Sequence, residues 1–225
     1  VAEAVGTALL LATVIGSGIM GERLAGESAA LALLANTLAT GAMLVTLILT
    51  FGPISGAHFN PVVTLADASE AGTPWKEVPG YLAAQITGAF AGIAAAHLMF
   101  GEPLFKASHH ARSGGAQMFS EFVATFGLLA VIRGCVRSRA SAVPFAVGAY
   151  ITGAYWFTSS TSFANPAVTL ARAASDTFAG IRPADVPGFI VAQFVGAAAA
   201  TLLFRWLLPP QRVSPTRVPD ATPLS

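Results

Sequence analysis

Long apolar stretches separated by short polar breaks dominate the chain. Six of them, at 2–20, 31–51, 78–100, 117–136, 143–158 and 186–208, approach the ~20 residues that carry a helix across ~30 Å of hydrocarbon. The fifth is the shortest. Two further apolar pieces, 61–68 and 166–174, are too short to cross and too apolar for an ordinary loop. Each follows an Asn-Pro step, Asn60-Pro61 and Asn165-Pro166. Asparagine is a preferred helix cap and proline a preferred first helical residue, so both pieces are predicted to begin as helices at those steps. A polar, glycine-containing linker, 101–116, divides the chain into a first repeat (1–100) and a second (117–208). The tail 209–225 is rich in Pro, Ser and Thr and is predicted to be disordered.

The two parts repeat in detail. Ser55-Gly-Ala-His-Phe-Asn60-Pro61-Val62-Val-Thr64 is matched, 105 positions on (60 to 165), by Ser160-Thr-Ser-Phe-Ala-Asn165-Pro166-Ala167-Val-Thr169. Glu3-Ala-Val-Gly-Thr7 corresponds to Glu121-Phe-Val-Ala-Thr125. Val78-Pro79-Gly80-Tyr81 with Gln85 corresponds to Val186-Pro187-Gly188-Phe189 with Gln193. Three spans per repeat is an odd number, so the second copy enters the membrane inverted and the two short helices come in from opposite faces. The expected fold is an all-α membrane protein with six transmembrane helices, two re-entrant half-helices and an inverted three-helix repeat.

Composition agrees with a bilayer as solvent: 54% of residues are hydrophobic and only 10% charged, too few polar groups to coat a soluble domain. The net charge of +1 without a basic tract excludes nucleic acid as a natural partner. Cys135 is the only cysteine, which rules out an intrachain disulfide and speaks against a zinc cluster. The first apolar run is long enough to be a retained span rather than a signal peptide. Arg133, Arg137 and Arg139 follow the fourth span, and Arg205, Arg212 and Arg217 close or follow the sixth. The positive-inside rule therefore puts these ends, and both termini, in the cytoplasm. It leaves Arg23, Lys106, Arg112, Arg172 and Arg182 outside.

The chemistry follows from backbone groups that a broken helix leaves free. A half-helix starting at mid-membrane presents unpaired N–H groups and a partial positive charge. The extended segments leading to it have carbonyls that hydrocarbon cannot accommodate, so they must border a polar path. Such a path, with the Asn60 and Asn165 amides at its centre, offers a small neutral molecule replacements for its hydration and disfavours cations. A single Asn before Pro is usually only a cap; two copies in inverted repeats point to a paired site. Glu3 and Glu121 are expected to support the loops by accepting their N–H groups. His58 is expected to line the path or brace its loop. His109 and His110 read as solvated linker residues rather than a metal site, and His97 as interfacial. Tyr155 and Trp156 read as packing or interfacial residues that can also shape the vestibule. No cofactor is implied, and no nucleophile and base stand at a suggestive spacing for an enzyme.

The paired Asn-Pro-x motifs, the Ser-Gly-x-His-Phe-Asn approach to Asn60 and the Glu-x-x-x-Thr opening each repeat resemble the aquaporin and aquaglyceroporin family over nearly the whole chain to residue 208. The resemblance implies facilitated diffusion through a homotetramer in the lipid bilayer with one pore per subunit. The family's selectivity constriction has four positions, the last normally an arginine directly after the second Asn-Pro-Ala. Here that residue is Val168. Carried over by spacing, the others fall on Thr40, Gly153 and Ser162. A set with no ring, histidine or cation predicts a wider, less polar opening. The sequence is also similar to bacterial members associated with arsenic resistance. The expected cargo is therefore glycerol-sized uncharged solutes, with water, and trivalent or methylated arsenicals, across a bacterial inner membrane. A water-selective pore and a secondary transporter of inverted-repeat type are the alternatives. The transporter has no intramembrane Asp, Lys or Arg at midplane depth to carry an ion.

Overall fold

The computed structural model describes residues 1–207. The predicted tail 209–225 and the final residue of the sixth predicted span lie outside the described residues, as do Arg212 and Arg217. Within them the chain forms eight α-helices and no strand: α1 (Ala2–Leu24), α2 (Ala29–Ser55), α3 (Pro61–Ala68), α4 (Val78–Phe100), α5 (Gly115–Ser138), α6 (Val143–Phe157), α7 (Pro166–Arg172) and α8 (Val186–Leu207). Five helices, α1, α2, α4, α5 and α8 with the turn before it, are long and apolar enough to cross a bilayer. The sixth, α6, has 15 residues and continues a 3-10 turn, Ala140–Ala142. α3 and α7 have 8 and 7 residues. At 1.5 Å per residue these two are only about 10–12 Å long, far short of a crossing.

Local chemistry sets the ends. Ser28 caps α2 by accepting from Leu31 N. The helix stops at Gly56, whose φ of 82° is open to glycine and strained for residues with a side chain. Pro79 and Pro187 sit in the first turns of α4 and α8, where no intrahelical N–H is lost.

Packing reproduces the internal repeat. α1 lies against α4 and α2, while α5 lies against α8 and α6; α2 and α6 join the two halves. α3 contacts α4 and α8, α7 contacts α8 and α4, and the two short helices meet each other. Each half-helix is thus held by one long helix from its own repeat and one from the other. A Cβ added at Gly88 or Gly92 would overlap the backbone of Ala4 or Ala8, and one at Gly196 would overlap the backbone of Phe122. These glycines let α4 close on α1 and α8 on α5, the small-residue contact that substitutes for hydrophobic driving force inside a membrane. Leu11, Ile15 and Ile93 fill the first half of the core, and Ala124, Leu129 and Ala200 the second. Large apolar side chains such as Leu31, Leu38, Phe119, Val191 and Leu202 are exposed on the outside of the bundle, as lipid contact requires.

Candidate functional site

Both short-helix segments are built by the same set of interactions. Before α3 the backbone turns left-handed at Ala57 and Phe59 (φ 51° and 49°); before α7 it does so at Ser162 and Ala164 (φ 51° and 49°). Left-handed residues interrupt helical bonding and leave successive N–H groups without backbone acceptors. Buried glutamates take them. Glu3 accepts from His58 N (3.0 Å), Phe59 N (2.7 Å) and Ser55 Oγ (2.7 Å), and Glu121 accepts from Phe163 N and Ala164 N (both 2.8 Å). Gln85 Nε2 bridges Glu3 (2.8 Å) to Thr64 Oγ1 (2.9 Å), and Gln193 Nε2 bridges Glu121 (2.7 Å) to Thr169 Oγ1 (2.7 Å). The threonines in turn donate to Asn60 O (3.2 Å) and Asn165 O (2.8 Å).

The tips meet at the centre. Asn60 Oδ1 accepts from Val62 N (3.1 Å), and Asn165 Oδ1 accepts from Ala167 N (3.0 Å) and Val168 N (3.2 Å). Each asparagine also donates across the repeat: Asn60 Nδ2 to Ala164 O and Asn165 Nδ2 to Phe59 O, both 2.8 Å. An amide nitrogen carries two hydrogens, so one on each asparagine remains for the cavity that both side chains border. The carbonyls nearest the tips, Phe59 O and Ala164 O, each accept one of these bonds, and both residues border the cavity.

That cavity has a volume of about 310 Å³ and runs past both asparagines. His58 borders it, with Nδ1 3.1 Å from Thr64 Oγ1 and Nε2 3.8 Å from an Asp67 oxygen. Pro61, Val62, Pro166 and Ala167 are buried in packing and do not border it, and Glu3 and Glu121 lie behind the loops. Of the four expected constriction positions, Thr40, Ser162 and Val168 border the cavity. Gly153 does not: it is exposed on the outside of α6. The inward stripe of α6 is Val147, Ile151 and Tyr155, spaced by four. Gly153 lies two residues from that stripe, about 200° around a helix that turns 100° per residue. Tyr155 stands in its place, with its hydroxyl 3.4 Å from Thr40 Oγ1, so the expectation of a ring-free lining is corrected.

The expectation of a cation-free lining is corrected too. Arg172, at the end of α7, is 2% exposed and borders both the main cavity and a second one of about 410 Å³, which Trp156 also borders. Its guanidinium lies 3.4 Å from the centroid of the Phe163 ring, and Arg112 lies 5.0 Å from the same centroid. Arg112 belongs to the linker, which is not a free connection. Ser108 N donates to Ala173 O (2.9 Å), Arg182 N to His110 O (2.8 Å), and Arg112 Nε to Gly180 O (2.8 Å). The His109 N–H and the Lys106 ammonium bind Asp176 and hold its carboxyl well below the usual carboxylate range. Arg112 and Arg172, expected among the charges on the outer side, are both buried. His97, expected at an interface, is also buried, its Nε2 2.8 Å from Ser175 Oγ. The available signal for Arg172 was the repeat itself: it stands as far beyond Asn165 as Asp67 beyond Asn60, and four residues after Val168 on one helical face.

At the other mouth, Arg133 borders the cavity, donates to Ala66 O (2.7 Å) and pairs with Glu70; Arg205 joins Glu70 at 3.2 Å. No cluster of metal-ligating side chains occurs among the described residues.

A family model described as major intrinsic protein matches residues 1–157. The sequence is 55% identical to aquaglyceroporin AqpS of Rhizobium meliloti (strain 1021) over 212 residues, 94% of this chain and 91% of that relative. It is 40% identical over 116 residues to aquaporin NIP1-1 of Oryza sativa subsp. japonica, 49% of this chain and 41% of that one. Among solved structures, the X-ray structure of the aquaglyceroporin from Plasmodium falciparum matches with a TM-score of 0.69 over 92% of each chain at 20% identity, a likeness of fold. With the doubled Asn-Pro tips, their glutamate braces and a family match over most of its length, the chain belongs to the major intrinsic protein family of integral membrane channels.

Proposed function

We propose that this protein is a passive channel for small uncharged solutes, with a pore of aquaglyceroporin type that passes glycerol-sized molecules and water, and trivalent or methylated arsenicals. The observation that carries the reading is a cavity running past two amide tips whose wall at the family's arginine position is the apolar Val168. A short aliphatic side chain there occupies less of the lumen than a guanidinium and demands no hydrogen-bonding partner from the solute. The 55% identity to a relative named an aquaglyceroporin supports the same class. The pore residues are Asn60 and Asn165 at the centre, His58 toward one mouth, and Thr40, Tyr155, Ser162 and Val168 toward the other. Pro61, Val62, Pro166 and Ala167 seat the tips, and Glu3 and Glu121 brace them.

We place the protein in a bacterial inner membrane as a homotetramer, both termini cytoplasmic, with the Arg172 mouth facing outward. The arginines at the end of α5 and on α8 support that orientation through the positive-inside rule. Reconstituted vesicles tested with a graded series, from water through glycerol to arsenite and methylarsenicals, decide the solute range. Non-saturating, bidirectional flux of glycerol and arsenite is expected; water flux without either would give the pore to the narrower class.

A further inference from the structure

We infer that Arg172 is the selectivity-determining cation of this pore, displaced one helical turn outward from the position that Val168 occupies. The inference rests on the channel reading and adds a residue to it. Val168 and Arg172 are four apart on α7, on one face and about 6 Å apart along the axis at 1.5 Å per residue. Both border the main cavity, and Arg172 alone of the two also borders the second cavity. It is the lining residue that the two cavities share, and in the inferred path a solute leaving the main cavity on that side meets its guanidinium.

The side chain is positioned for this. Its Nε donates to Ala179 O, while its terminal nitrogens have no protein acceptor among the described residues. Phe163 carries the guanidinium on its face. Arg112, 5.0 Å from the centroid of the same ring, is tied to carbonyl oxygens of Ser160 (3.2 Å) and Gly180 (2.8 Å). Neither arginine has a carboxylate partner among the described ion pairs, which all involve other residues. Glu121 is committed to Phe163 N, Ala164 N and Gln193, and Asp185, which accepts the Arg112 backbone N–H (2.8 Å), is paired with Arg182. Two buried, unneutralised cations on one ring make this mouth positive. The linker residue His110 feels it: burial and the Arg112 and Arg172 charges hold its pKa below the ordinary value.

Two consequences follow. Cations, including hydronium, meet a charge barrier at this mouth despite the valine at 168. Uncharged solutes bearing hydroxyl or other oxygen acceptors find the free guanidinium N–H groups at the junction and are oriented by them, while Val168 leaves the next turn wide.

The test uses the full-length protein in proteoliposomes, with glycerol flux read by stopped-flow light scattering and proton flux by an entrapped pH dye under a potassium diffusion potential. R172M is expected to raise proton permeability about tenfold or more, the loss of one nearby charge at low dielectric, with glycerol flux kept or increased. R172K, which keeps the charge, should stay proton-tight yet pass glycerol with weaker discrimination among polyol isomers. F163L, which removes the support under both guanidiniums, should leak to an intermediate degree and keeps the test available if R172M does not fold. Normal glycerol flux with wild-type proton tightness in both R172M and F163L overturns the assignment of Arg172 alone. Absence of glycerol flux in the wild type overturns the channel reading and this inference with it.

Discussion

Overlaid by their common offset, the two re-entrant segments agree wherever a residue holds the loop and differ wherever it meets a mouth. Glu3, Thr64, Gln85 and Asn60 have counterparts of the same type in Glu121, Thr169, Gln193 and Asn165, making equivalent bonds. Val63 and Val168 are likewise equivalent, and both border the cavity. At the mouths His58 faces Phe163 and Asp67 faces Arg172 across the pseudo-symmetry. One end carries an imidazole beside a carboxylate whose side chain is 40% exposed; the other carries a guanidinium buried on an aromatic ring. Irregular backbone inside a membrane must have every N–H satisfied, and that requirement is identical in both halves. The solute meets the two ends in different surroundings, so nothing obliges those residues to match.

The largest effect should come from breaking a shared brace. E121A leaves Phe163 N, Ala164 N and the Gln193 amide without their acceptor; at about 1–3 kcal/mol per unsatisfied buried group the cost is about 3 kcal/mol or more. E3A strands the matching groups, His58 N, Phe59 N and the Gln85 amide, and the Ser55 hydroxyl besides, so thermal unfolding in detergent should show a loss of similar size or slightly larger. A loss confined to one variant would break the symmetry of the scaffold.

V168R tests the widened turn. Glycerol flux should fall about tenfold, equivalent to about 1.4 kcal/mol on the permeation barrier, with water flux reduced less. V63R, its symmetry mate, should also obstruct glycerol. Unchanged glycerol flux in V168R would put the narrowest point elsewhere.

N60A and N165A each remove a helix cap, a cost of about 1 kcal/mol, together with the bond to the opposite loop. Matching drops in thermal stability, with reduced solute flux, are expected of both.

Smaller effects belong to the unmatched ends. D67N keeps an acceptor for Thr73 while removing a partly exposed charge, so its stability change should be within about 1 kcal/mol and its flux near wild type. Asp176 has a lowered pKa in the folded protein. Its contribution is therefore present above the unfolded value and is lost only as pH falls through the folded one. Hydrogen exchange of the 101–114 linker should stay slow from neutral pH down past the usual carboxylate range. D176N should speed it at every pH.

The apolar runs and the two Asn-Pro steps made the long helices, both short-helix starts and the internal repeat legible in the sequence. Glu3, Glu121, Gln85 and Gln193 were legible because each occurs twice at matching positions. Gly153 shows the limit of such spacing. Counting from a motif in another segment fixes where a residue falls along a helix only to within a residue or two, and an error of two turns the side chain to the opposite face. Arg112, in the linker, and Arg172, in the second short helix, were read as charges on the outer side because nothing in a linear pattern says that a linker folds back over a mouth.

By itself the sequence determined the class of protein, its doubled architecture and the central asparagines, since spans, caps and repeats are local properties of consecutive residues. Only the tertiary structure decided that α6 turns Tyr155 inward, that two guanidiniums gather at the Phe163 ring, and that Arg172 borders two cavities. Those facts depend on helix rotation and on contacts between segments up to about a hundred residues apart, which are fixed when the bundle packs and not before.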